Sequence, residues 1–113
     1  RMVERMMERG GQSVYLMLCT VVDSKGNPMK EGAVLSELSE RLKEAIGQSI
    51  RRGDAFTRYG KGQYLVLLIN TARENCKILQ RRINEHFVVR RQRTGVQYHV
   101  NSVACTPHGE RLV

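Results

Sequence analysis

The sequence contains no tryptophan, and aromatic residues make up only 5% of it. Sheets that bind RNA by base stacking need aromatics at set strand positions, and no K/R-G-F-G-F-like strand motif is present. Tyr15, Phe56, Tyr59, Tyr64, Phe87 and Tyr98 are dispersed along the chain instead. No apolar run reaches the length needed to span a bilayer, so no membrane contact is expected of this segment. No basic-then-apolar leader opens the chain, and export is not expected. Internal repeats, low-complexity tracts and Pro- or Gly-rich linkers are absent, so residues 12–113 read as one domain. Cys19, Cys76 and Cys105 are odd in number, widely spaced and form no CxxC pair. Small buried thiols in a reducing cytoplasm explain them better than a disulfide or a metal site.

Acids are the scarcer charge, 11 against 19 Lys and Arg, for a formal net charge of +8. Such an excess attracts nucleic acid, anionic nucleotides or acidic protein surfaces. It equally describes a solvated surface whose balancing acids sit elsewhere in a longer protein. The chain starts at Arg1 rather than a methionine and reads as a piece of a larger protein. His86, His99 and His108 are scattered, with no metal spacing and no nucleophile or orienting acid nearby. They read as surface or edge-strand residues.

The apolar pattern supplies the elements. Residues 2–9 carry helix formers with methionines and valine on one face, ended by Gly10 and Gly11. They read as the last turns of a linker helix, residues 1–11, from an upstream domain. Residues 14–22, VYLMLCTVV, predict a central strand buried on both faces. DSKGNP, residues 23–28, is a turn by composition. Leu35, Leu38, Leu42, Ile46 and Ile50 recur at helical spacing, with Gly53 and Asp54 closing the segment. Residues 55–58 and 63–69 predict two strands joined at Gly60-Lys61-Gly62. Thr71, with Glu74 three residues on, predicts a capping box for a second helix facing Cys76, Leu79, Ile83 and Phe87 inward. A basic loop, residues 90–93, precedes a last strand over residues 96–106. This order predicts an α+β ferredoxin-like sandwich, an antiparallel-rich sheet with helices on one face.

The stretch RRGDAFTRYGKGQY, residues 51–64, resembles the hairpin of GGDEF domains, the bacterial diguanylate cyclases. Arg51 and Asp54 match that family's RxxD, and Arg58 and Tyr59 its lead-in. Gly60, Lys61, Gly62, Gln63 and Tyr64 occupy the signature itself. YLVLLI, the helix ending QRRIN and the strand VNSVACT match the family's continuation. The resemblance implies a nucleotidyl cyclase-like fold. The wording RRGDAFTRYGKGQYLVLL also resembles degenerate versions attached to bacterial transcriptional regulators.

The departures from the family pattern bear on activity. Such cyclases hold two divalent cations with carboxylates, one in the hairpin signature and one at the end of the first strand. The hairpin positions are Gly62 and Gln63 here, and the first-strand position falls near Cys19, with Thr20 and Val21 beside it. The nearest acid, Asp23, lies in the turn, and Lys61 replaces a signature glycine. The resemblance therefore implies a non-catalytic module without cofactor. It would relay signals through contacts with the parent protein's other domains or through a homodimer. The family's inhibitory site for cyclic di-GMP maps onto Arg51, Asp54 and Arg82, whose guanidinium and carboxylate chemistry suits phosphate and guanine. The alternative for Arg51 and Asp54 is a basic residue and a turn former at a helix end, with Arg82 on a solvated face. Asn27 falls where the family recognises guanine, although its place in KGNP equally suits a turn. Nucleic-acid binding through residues 90–93 is the competing function.

Overall fold

The computed structural model describes residues 13–87 and 94–103 of the chain. The linker helix expected over residues 1–11, the basic loop 90–93, Cys105 and His108 lie outside the described residues. The elements run β1 (Val14–Val22), α1 (Ala33–Ser49), β2 (Ala55–Gly60), β3 (Gln63–Ile69), α2 (Arg73–His86) and β4 (Gly95–Val103). The sheet order is β2-β3-β1-β4, and every neighbouring pair is antiparallel. This is the ferredoxin-like arrangement: β1 and β2 flank β3, with α1 crossing between them.

Strand alternation decides which side chains meet the helices. Met17, Cys19 and Val21 of β1 and Tyr64, Val66 and Leu68 of β3 are buried. They form one core with Leu35, Leu38, Leu42, Ala45 and Ile46 of α1 and Cys76, Leu79 and Ile83 of α2. Phe87 closes the end of α2, and Phe56, Tyr98 and Val100 pack against the cluster from the outer strands. Tyr98 also ties β4 to α2, its hydroxyl donating to Asn84 Oδ1 at 2.8 Å and to the Gln80 carbonyl at 3.3 Å.

Four sequence expectations need correction. β1 is central in pairing but, among the described residues, only one of its faces packs against helices. Leu16 and Leu18 alternate with the core residues and stay half-buried, as do Leu65 and Leu67 of β3. The hairpin turn is the pair Lys61-Gly62, because β2 continues to Gly60 through a shift in pairing between Arg58 and Gly60. That shift leaves Tyr59 as an extra, 63% exposed residue, the geometry of a β-bulge. Thr71 does not cap α2. The N-cap is Ala72 with no side-chain cap bond, and Thr71 is buried beneath the helix start. Glu74 remains in the first turn, where its charge suits the helix dipole. The last strand begins at Gly95 and is described to Val103, so residues 104–106 lie outside the described residues.

Candidate functional site

Two concave regions gather the residues singled out by the sequence. The first lies at the hairpin tip. Gly62 adopts φ of 68°, a left-handed conformation that glycine reaches without strain. Its carbonyl accepts the Val21 amide at 2.9 Å, which fixes the tip against the end of β1. Pairing sets Thr20 opposite Gln63 and Cys19 opposite Tyr64. A cavity of about 180 Å³ follows, lined by Lys61 and Gly62 from the turn, Arg58 from β2, and Glu31, Gly32, Leu35, Ser36 and Ser39 at the start of α1.

The donors at this tip are neutral, buried or already paired. Gln63 Nε2 donates to Thr20 Oγ1 at 3.3 Å. Cys19 is fully buried, and desolvation pushes its thiol up to about 12. Tyr64 is buried with its hydroxyl 3.3 Å from Ser39 Oγ, and its ring meets Phe56 edge-on at 6.0 Å. The carboxylate of Glu31, which lines the cavity, pairs with Lys61 Nζ at 2.8 Å. Asp23 is turned to its own loop, its Oδ1 accepting the amides of Lys25 at 2.8 Å and Asn27 at 3.0 Å. Those bonds hold the Asp23 carboxyl below its usual range, the Asn27 amide first. Asn27 thus sits in the turn its composition indicates, and its carbonyl accepts the Asp23 amide at 2.9 Å. Among the described residues no group of three or more His, Cys, Asp or Glu is placed to hold a metal. A pair of hard cations needs several anionic oxygens, and this donor set does not fit them.

The second region lies at the opposite end of the sheet. Arg51, Asp54 and Arg82 line one cavity of about 200 Å³, with Ser49, Leu68, Thr71, Asn75, Ile78 and Leu79. The turn after α1 returns through Asp54, whose amide donates to the Arg51 carbonyl at 3.0 Å. Asp54 Oδ2 accepts the Arg51 amide at 3.0 Å, and Oδ1 accepts the Ile69 amide at 3.5 Å. The Asp54 side chain is only 2% exposed, whereas that of Arg51 is 49% exposed. Arg51 Nε lies 3.5 Å from Asp54 Oδ2, and Nη2 donates to the Ile69 carbonyl at 3.1 Å. The pair thus ties the end of α1 to the end of β3. Arg82 is exposed on α2 across the cavity, with no ion pair or hydrogen bond among the described residues. Sequence spacing could not show that Ile78 and Asn75 border the same cavity, because their helical positions read as ordinary surface.

Of the dispersed aromatics, only Tyr59 is a large exposed side chain among the described residues. Tyr15 packs against the core, with Arg73 stacked 5.8 Å from its ring centre. The sheet face away from the helices presents leucines, so it offers no stacking platform for bases. His86 and His99 are exposed at the end of α2 and on β4, as edge and surface residues.

No protein-family model matches the chain. No curated protein matches it either. A solved structure does: diguanylate cyclase SiaD in complex with its activator SiaC from Pseudomonas aeruginosa. The match has a TM-score of 0.56 at 18% identity and covers 88% of this chain and 40% of that one. The chain therefore spans about two-fifths of that protein's solved length. Identity at this level speaks for the fold alone, and the fold is GGDEF-like, a cyclase-type α+β sandwich.

Proposed function

We propose that this chain is a non-catalytic GGDEF-like module of a larger bacterial regulator, one that relays state through protein contacts. The observation that carries the reading is the donor set at the hairpin tip. Phosphodiester formation at such a site needs magnesium held on carboxylates. Gly62, Gln63, Thr20 and the buried Cys19 thiol stand there instead, and the cavity's own acid is paired with Lys61. A second acid, Asp23, is spent on its turn. Protein contacts are a natural mode for such a module, since the fold relative SiaD is itself seen in complex with an activator protein. A transcriptional regulator is the parent that the wording of residues 51–68 favours. Incubating the domain with GTP and magnesium should yield no cyclic di-GMP, and accumulation of that product would overturn the reading.

A second reading rests on the other cavity. Arg51, Asp54 and Arg82 border one space, and Arg82, unpaired among the described residues, offers its guanidinium to a phosphate or a guanine edge. On this reading the module senses cyclic di-GMP there. Calorimetric titration should give micromolar or tighter binding, lost in Arg51→Ala and in Arg82→Ala. A flat titration of folded protein removes this reading and leaves the relay reading standing.

A further inference from the structure

We propose that the outer edge of β4 pairs with the same edge of a second copy of this chain, joining the two into one continuous sheet. The order β2-β3-β1-β4 leaves two edge strands. An edge strand presents a row of backbone N–H and C=O groups that invites a further strand. β2 resists such addition. It has 6 residues, its pairing shifts between Arg58 and Gly60, and Arg58 and Tyr59 stand exposed at the shift. A bulge and a charge are devices that keep an edge from pairing. β4 has neither. Its 9 residues, Gly95–Val103, pair one for one with β1 without a shift. The strand GVQYHVNSV contains no Lys, Arg, Asp, Glu or Pro, and among the described residues no strand pairs with its outer side.

Such an edge is complementary to itself. Two copies related by a two-fold axis run antiparallel, and a register centred on His99 pairs the whole strand. Gln97 then faces Asn101 of the second copy, Tyr98 faces Val100, and Val96 faces Ser102. Side chains of one face stay together in this register. Val96, Tyr98 and Val100, which pack against the core under the helices, extend an apolar row across the seam. Gln97 and Asn101 are exposed on the other face. Directly opposite positions lie about 5 Å apart, within reach of a hydrogen bond between their amides. A slip of one residue would throw the helices of the two copies onto opposite faces and break both rows. The joined sheet takes four strands from each copy, a size that open sheets commonly reach. The seam uses no residue of the hairpin tip or of the cavity at Arg51 and Arg82. It rests on the relay reading only in naming the protein partner, and a chain that stays single leaves the donor set at the tip unchanged.

Sedimentation equilibrium of the whole chain, with hydrogen exchange followed at each concentration, tests the seam. The expected result is a monomer–dimer equilibrium in which amides of Gly95–Val103 gain protection as the dimer forms. A monomeric mass at every concentration would overturn the proposal. Protection of those amides that dilution leaves unchanged would overturn it too, because the edge would then be covered within one chain. Charge checks the register. Gln97→Lys with Asn101→Lys sets like charges opposite each other twice across the seam and should weaken the dimer about tenfold or more. Gln97→Glu with Asn101→Glu should do the same, and mixing the two variants should restore a heterodimer. Both positions are exposed, so thermal melts should show each variant folded. A dimer that persists in each variant alone would assign the contact to another surface and overturn the proposal.

Discussion

Asp54 and Arg82 border the same cavity yet differ in what they support. The Asp54 carboxylate is buried and accepts the amides of Arg51 and Ile69, so its removal leaves two backbone donors without their partner. Asp54→Ala should lower unfolding free energy on the order of 1–2 kcal/mol in urea denaturation. Arg82→Ala, which removes an exposed side chain, should change it by less than about 0.5 kcal/mol. Equal losses would contradict the assignment of Asp54 as a structural clasp. The contrast also governs the ligand test, because loss of binding in Arg82→Ala can be read without a folding defect. The resemblance to the family's RxxD brought Arg51 and Asp54 together as a pair. That the carboxylate is the buried partner and the guanidinium half-exposed could not be read there, since it depends on how Ile69 ends β3.

At the scale of elements, apolar spacing was a dependable guide. The spacing from Leu35 to Ile46 and from Cys76 to Ile83 marks the inner faces of α1 and α2, because helical period and burial coincide there. The departures occur where local chemistry competes with tertiary packing. Thr71 has the composition of a cap but is buried, leaving Ala72 at that position. The apolar run of β1 suggested two buried faces, and the described elements cover one. The hairpin is the most constrained element. A Cβ on Gly62 would lie 2.8 Å from Leu35 Cδ1, at a backbone angle that side chains rarely adopt. Gly62→Ala should therefore cost about 1–3 kcal/mol of stability, strain and crowding together. Gly26→Ala, at a similar backbone angle but with nothing within 4 Å, should cost about 1 kcal/mol. Denaturation midpoints of the two variants check the order. A smaller loss at Gly62 would mean that the tip can move away from α1.

Across the whole molecule, the sheet links the two candidate sites through one core, and that core sets its response to alkali. Burial pushes the Cys19 thiol from 9.0 up to about 12, and burial followed by the nearby Cys19 raises Tyr98 above its usual 10.0. Both groups stay protonated in the folded chain at a pH where the unfolded chain ionises. Their contribution is full below pH 9 and is lost as pH rises beyond it, first through Cys19 and then through Tyr98. Stability should thus fall above pH 9, and Cys19→Ala should flatten the first part of that fall in thermal melts. The order of elements and the lack of an acid at residues 60–64 were readable from sequence. The Glu31–Lys61 ion pair was not, because it joins a loop residue to a turn that only the fold brings together.

The central claim, that the hairpin tip cannot hold the magnesium needed to join two GTP molecules, is tested most directly by product formation. The domain is concentrated enough to allow self-association, supplied with GTP and either magnesium or manganese, and the nucleotides are separated by chromatography. GTP recovered intact, with no cyclic di-GMP above a protein-free control, is the predicted result. Cyclic di-GMP that increases with protein concentration would contradict it.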